Sequence, residues 1–522
     1  MAGISFSGLG SGIDTKSIIE QLMAIEQRPL QKIEQRKSNS EQALSIYSDL
    51  RSKLNEFKTL ASNMNTIREF RKMSVESPDE DVFTVTAGNN AQAGGHTLKI
   101  TQLAQAEMEV SQGYAEKTSV VGTGTFSLTV GSEDAVEITL DETNNTLEGM
   151  MQAINNSGAE VKATIINDGD ASNPYRLVVT SNETGTANAI SLDVSALSGG
   201  SAPIFTDGSG GTPGQQAKDA LMVFDGINVV KSSNEIDDLL YDVTINLKDV
   251  DLEKTYDIDI ESNLDGIKED INNFVTKYNE IVDYLKSKGS TSAMKSDYTF
   301  SSIKRTITDI VTGGVDNTAG LFSTISSIGI TTDTSGHLTV DDEDLTDALE
   351  DHFDDTMQLF AAYGQPSSPY IEFLNVGSNT VDGEYDIEVT GTGSGLQALI
   401  NGEAADVNVD GSLIIGAEGT NADGLMLHFK GSTTGSYGKV QVSLGIMEKL
   451  ERALSDITSV STGIIKNKEE SINNQIRTYD RQIEQKEENL TKVEARLTAR
   501  FTKMESMLSQ LQNQSNFLSG LG

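Results

Sequence analysis

Catalysis or metal binding in this 522-residue chain would have to be built from four histidines, His96, His337, His352 and His428, and from carboxylates, because there is no cysteine. A zinc site needs imidazoles brought together, most simply at i and i+4 on one helix face, and these four are scattered without such a pair. Two glycine-rich runs could cradle a phosphate, GLGSG at Gly8–Gly12 and GTGSG at Gly391–Gly395. Neither continues into Gly-Lys-Ser/Thr, and the first follows no strand, so both lack the context a phosphate loop requires. TTDTSGHLTVDD at Thr331–Asp342 places Gly336 sixth and oxygen ligands third, fifth and twelfth, as a calcium loop would, but Thr331 stands where Asp is needed. A β-hairpin turning at the glycine is the expectation there. The acidic runs Asp341–Asp344 and Glu350–Asp355 read as solvated helix faces. With no nucleophile–base constellation, the expectation is no catalytic residue, no metal and no cofactor, and function must rest on apolar side chains and their spacing.

Those side chains fall on long helical seams. Ala43, Tyr47, Leu50, Leu54, Phe57, Ala61 and Met64 alternate steps of four and three, as do Leu264, Ile267, Ile271, Phe274, Tyr278, Ile281 and Leu285. The C-terminal seam is longer: Ile472, Ile476, Tyr479, Ile483, Lys486, Leu490, Val493, Leu497, Arg500, Met504, Met507 and Leu511, interrupted only by Lys486 and Arg500, whose stems can pack with their heads in solvent. Covering its apolar members is worth on the order of 15–30 kcal/mol gross, so a partner helix is required. Ile18, Ile19, Leu22, Met23 and Ile25 open an earlier helical piece with Thr15 or Ser17 as cap, and Pro29 is expected to break it or start a new first turn. Shorter helical patterns lie at Ile303–Val311 and Leu345–Phe360. The interaction residues expected from these seams are Leu9, Ile13, Ile18, Leu22 and Met23 at the start and Leu497, Phe501, Met504, Leu508, Leu511, Phe517 and Leu518 at the end. The first 25 residues are expected to pack between subunits; for Leu497 and Met504, intrachain and intersubunit burial both stay open.

Between the seams lie β-rich stretches, dense in Gly, Thr, Ser and Asn over Gly113–Gly214 and Gly364–Gly445. Strands are expected at His96–Leu103, Thr125–Val130, Ala135–Leu140, Tyr175–Thr180, Leu221–Phe224, Val243–Leu247 and Tyr256–Ile260. GTGTFSLTVG at Gly122–Gly131 is echoed by VDGEYDIEVTG at Val381–Gly391, which suggests a duplicated β-module. The expected fold is α+β and multidomain: a helical coiled-coil trunk drawn from both termini and a central segment, with all-β modules inserted. Its divisions are a terminal helical region at 1–42, mobile in the monomer; a trunk of 43–71, 263–365 and 446–480; a β-domain of 72–112 and 215–262; an outer β-domain at 113–214; an additional β-module at 366–445; and a C-terminal coiled-coil region at 481–522.

Composition narrows the partners. Lys and Arg number 39 against 78 Asp and Glu, a net charge of −39, which disfavours nucleic acid and anionic membrane surfaces. No apolar run reaches the roughly 18 residues of a membrane span. The opening MAGISFSGLGSGIDT has neither Lys nor Arg and no signal-length apolar run, so it does not read as a cleaved leader.

ISFSGLGSGIDTKSIIEQLMAIEQRPL at Ile4–Leu30 resembles the opening of the flagellar filament cap family, the hook-associated protein 2 proteins. AQAGGHTLKITQLAQAE at Ala91–Glu107, AKDALMVFDGINVVKSSNEIDDLLYDVTINL at Ala217–Leu247, IGITTDTSGHLTVDDEDLTDALEDHFDDTMQLFA at Ile328–Ala361 and the tail RFTKMESMLSQLQNQSNFLSGLG are similar to it too. The two echoing β-modules look like a short repeat of flagellar hook and filament proteins, whereas the insertion Pro366–Leu444 departs from the minimal cap pattern. The resemblance implies a non-enzymatic structural protein exported through the flagellar type III apparatus and found outside the cell at the filament tip. It implies a closed ring of identical subunits that retains flagellin and promotes its folding, with hook-associated junction proteins and an export chaperone as further partners. An extracellular adhesin using the outer β-modules and a hook–filament junction protein are the alternatives.

Overall fold

The computed structural model describes residues 14–295, 297–316, 320–392, 395–408 and 412–519, and the chain divides into two compact units, Met1–Phe70 with Ile267–Gly522, and Arg71–Gly266. Among the described residues the helices are α1 (Thr15–Ser62), α2 (Ile67–Phe70), α3 (Leu147–Asn155), α4 (Leu264–Gly289), α5 (Thr299–Thr312), α6 (Asp342–Asp351), α7 (Phe353–Phe360), α8 (Ile446–Thr458) and α9 (Ile464–Ser519).

The first unit is built on α1, and two expectations about its start are corrected. Its cap is Asp14, whose carboxylate accepts from Ser17 N at 3.0 Å, because Thr15 is turned into a tertiary hydrogen bond instead. Pro29 lies inside an unbroken 48-residue helix. Pro29 and Ile25, whose carbonyl the missing N–H would have reached, are both solvent-exposed, so water can satisfy that carbonyl and packing on the other face keeps the helix whole. Further along α1 the seam read from sequence is the core: Tyr47, Leu50, Leu54, Phe57 and Ala61 are fully buried. Antiparallel α4 supplies the facing ridge, with Phe57 stacked on Phe274 at 5.4 Å between ring centroids and Tyr284 OH donating to Ile46 O at 2.9 Å. α5 adds Phe300, edge-on to Tyr47 at 5.4 Å, and α8 adds Ile446, Met447, Leu450 and Leu454.

The pattern over Leu345–Phe360 forms two helices, not one. His352 takes a non-helical conformation between α6 and α7, and Thr356 Oγ1 turns back to Ala348 O at 2.9 Å. Thr331–Asp342 is the expected hairpin: Ile330–Thr332 pairs antiparallel with Leu338–Val340, and Asp333 closes the turn by accepting from Ser335 N and His337 N. Gly336 there has φ of 87°, a conformation that favours glycine.

The insertion within this unit is a β-sandwich with its own core of Tyr385, Ile387, Val389, Ile414, Leu427, Val440 and Val442, among others. One sheet centres on Gly383–Gly391, flanked by Gln397–Ile400 and Gly435–Ser443; the other carries Ile371–Asn375, Met426–Phe429, Leu413–Ile415 and Asp406–Val407. Arg452 of α8 anchors it, donating to Thr380 O at 2.6 Å and Gly377 O at 2.7 Å while paired with Glu448.

The second unit holds two β-cores. One lies between a five-stranded sheet that includes Gly94–Gln102, Ala220–Phe224 and Tyr256–Ser262 and a three-stranded sheet of Glu235–Leu240, Val243–Leu247 and Phe83–Ala87. The other lies between the sheet of Phe205–Thr206, Met108–Ser111, Tyr175–Ser181 and Val161–Asn167 and the sheet of Val136–Leu140, Gly124–Val130 and Ile190–Asp193, with α3 packed in. The structure limits the sequence echo to a first strand and its hairpin. After Val136–Leu140 the chain forms α3, capped by Thr146, whereas the insertion continues from Gln397–Ile400 into further strands with no helix among its described residues.

Candidate functional site

The four histidines do not gather. His96 pairs with Asp225 at 2.8 Å, His337 with Asp283 at 2.9 Å, His352 with Asp355 at 3.7 Å and His428 with Glu372 at 3.1 Å, four separate pairs. Among the described residues no group of three His, Asp or Glu side chains is arranged to hold a metal ion, and no helix is long and apolar enough to cross a membrane.

What the structure does assemble is an antiparallel coiled coil of α1 and α9. Arg51 is ion-paired with Glu469, Lys37 Nζ meets Asp480 Oδ1 at 2.7 Å, and Thr15 Oγ1 donates to Glu505 Oε1 at 2.7 Å, so each step down α1 is matched by a step up α9. The partner helix that the terminal seams require is thus supplied within the chain: between these contacts each is the other's partner. The seam spacing of α9 reappears as its burial pattern. Ile472 is buried, and Ile476, Tyr479, Ile483, Leu490, Val493, Leu497 and Met504 are half-buried, while Lys486 and Arg500 stand exposed.

A two-helix coil covers such a seam from one side only, which is why its members stay half-exposed. Of the expected interaction residues, Met23 faces the coil and is 8% exposed, whereas Ile18 (36%) and Leu22 (38%) line the outer face together with Ile25 (57%). Steps of four and three put those three in one row on α1. Leu497, Phe501, Met504 and Leu508 are half-buried. Leu511 (60%), Phe517 (70%) and Leu518 (70%) are open, as is Met507. Leu9 and Ile13 lie outside the described residues.

Ile25 and the three cross-helix polar contacts were missed as site residues. Ile25 carried a signal, its three-residue step from Leu22; the charge pairs carried none, because a register cannot be read before the two helices are matched. Charge is also segregated: α1 and α9 together hold 17 Lys and Arg against 14 Asp and Glu, and the rest of the chain 22 against 64. Coil surfaces of nearly balanced charge can approach one another without the repulsion the remainder would impose. The hydrogen bond to Asp480 is the largest influence raising the Lys37 ammonium above its ordinary range.

At the foot of the coil Asp297 joins three elements. It accepts from Tyr47 OH at 2.7 Å, from Thr299 N at 2.9 Å and from Lys468 of α9, whose Nζ lies 3.1 Å from Oδ1. Burial alone would raise this carboxyl; the hydrogen bonds from Thr299, Tyr47 and Lys468 outweigh it and hold the group below its usual range.

The family model described as flagellar hook-associated protein 2 C-terminus matches residues 217–513, its N-terminus counterpart matches 11–107, and a flagellin hook IN motif matches 125–183. The flagellar hook-associated protein 2 of Escherichia coli strain K12 is 32% identical over 373 residues, covering 67% of this chain and 78% of that protein. The B-type flagellar hook-associated protein 2 of Pseudomonas aeruginosa is 25% identical over 389 residues, covering 69% and 81%. Among solved structures, the D1-D2-D3 domains of the flagellar cap protein FliD from Escherichia coli match with a TM-score of 0.55 at 24% identity, over 82% of this chain and 99% of that one, which shows the fold.

Proposed function

This chain belongs to the flagellar hook-associated protein 2 family, and from that membership we propose that it is a structural cap at the distal, extracellular end of the bacterial flagellar filament. It is not an enzyme; it oligomerises and acts on flagellin by retaining it at the tip and favouring its folding into the lattice. In finer detail, identical subunits close into a ring, the chain reaches the tip by the flagellar export route with a chaperone in attendance, and hook-associated junction proteins are its neighbours before the filament grows. Family membership favours neither the adhesin nor the junction alternative.

The observation that carries the reading is the half-covered coil. A helix pair that buries one side of its seam and leaves Ile18, Leu22, Ile25, Leu511, Phe517 and Leu518 in solvent has apolar surface for like neighbours and for the fibre beneath. Electron microscopy of filaments carrying a gold-labelled tag on this chain tests it. Label at the distal tip, with flagellin released into the medium when the chain is deleted, is the expected result. Label at the hook–filament boundary, or normal filaments after deletion, contradicts it.

A further inference from the structure

In the second unit the chain passes between the two β-cores twice, and the passages are laced together. Gln105 N donates to Lys218 O at 2.8 Å and Lys218 N back to Gln105 O at 3.1 Å; Met108 N donates to Gln215 O at 2.8 Å and Gln215 N back to Met108 O at 2.9 Å. Beside this ladder, strand Met108–Ser111 lies between Phe205–Thr206 and Tyr175–Ser181. The pairings Thr206 with Val110 and Met108 with Thr180 set Asp207 and Val179 opposite Glu109, and Ser181 opposite Glu107. Directly opposed residues share a sheet face, so three carboxylates and a hydroxyl lie on the face that Leu177 and Val179 turn to the core.

Their surroundings are unequal. Glu107 is 7% exposed and accepts from Ile190 N at 2.6 Å, which ties the two sheets of the outer core together. Asp207 accepts from Ser209 N at 2.8 Å and from Gln216 Nε2 at 3.1 Å. Glu109 Oε2 is buried without a hydrogen-bond partner, and so is the hydroxyl of Ser181, a residue only 4% exposed.

We infer that Glu107, Glu109 and Asp207 form a proton-held latch at this neck: a proton on Glu109 keeps the ladder closed, and its loss loosens the link between the two cores. The charges that bear on Glu109 are both negative, Glu107 on its own strand and Asp207 across from it; the neighbouring strand offers the uncharged Val179 and Ser181, and Ile190 donates to Glu107. Burial first, then these two charges, push Glu109 up to about 7, and burial raises Glu107 as well. Hydrogen bonds from Ser209 and Gln216 hold Asp207 down to about 2, so it stays ionised throughout. The closed neck thus binds more protons than the opened one above the ordinary carboxylate range of about 4.5, and it weakens as pH rises through about 7.

Amide hydrogen exchange of the full chain, corrected for intrinsic rates, reads the latch directly at Gln105, Met108, Gln215 and Lys218. Protection there should fall by on the order of tenfold between pH 5 and pH 8. Glu109→Gln should remove that dependence, and Asp207→Asn, by deleting one repelling charge, should move the transition to lower pH. Protection in the native chain that does not change with pH, or an unaltered slope in both variants, would overturn the inference. So would calcium restoring protection at pH 8 in the native chain but not in Glu109→Gln, since the cluster would then hold a cation instead.

Discussion

The two halves of α1 carry the same alternating apolar spacing and meet different fates. From Ala43 to Ala61 the seam is roofed by α4, α5 and α8 as well as α9, and Tyr47, Leu50, Leu54 and Phe57 have no exposed surface. From Thr15 to Ser40 the partner established by the register is α9, and Ile18, Leu22 and Ile25 remain open. An apolar stripe thus acts as core or as interface according to how many neighbours the chain supplies, and the Thr15–Ser40 half is where association is expected to act.

Substitutions can break or sharpen this contrast. Phe57→Ala, which empties a sealed site stacked on Phe274, should cost about 3–5 kcal/mol in urea unfolding of the full chain. Met23→Ala in the distal half should cost only about 1 kcal/mol, because the cavity opens to water; a loss as large as that at Phe57 would show the distal coil to be as well covered as the trunk. Tyr47→Phe removes the 2.7 Å hydrogen bond to Asp297 and should cost about 1 kcal/mol. Asp297 contributes stability that is complete above the ordinary aspartate range and lost as pH falls through its depressed folded value, so Tyr47→Phe should also flatten the acid limb of the unfolding curve. Lys37→Ala should give the smallest shift of the urea midpoint in this series, since its pair with Asp480 is solvent-accessible, and that shift should vanish in high salt.

Much of the site was legible because helical spacing survives any tertiary context. The α9 seam from Ile472 to Met504 predicted which positions would be shielded, and the strands over Thr125–Val130 and Val243–Leu247 were located from their own alternation. What escaped depends on partners. Whether Pro29 breaks a helix is decided by which face packs, and Asp14 became the cap because Thr15 was drawn to Glu505. α3 does carry a three-four step, at Leu147, Met150 and Ile154, but it is short and lies in a glycine-rich β stretch that masks the period, whereas α8 falls in the 446–480 stretch read as helical trunk. The neck carboxylates were invisible because Glu107 and Glu109 meet Asp207 across a register that sequence does not print.

The most direct test is sedimentation velocity of the full chain over a range of concentrations, beside a Leu22→Asp, Leu511→Asp double variant. The native chain should pass from monomer to one discrete larger species, and the variant should stay monomeric with its trunk unfolding at the same urea midpoint. Assembly of the variant at native strength, or a native chain that remains monomeric throughout, would contradict the assignment of the open coil as the surface on which copies meet.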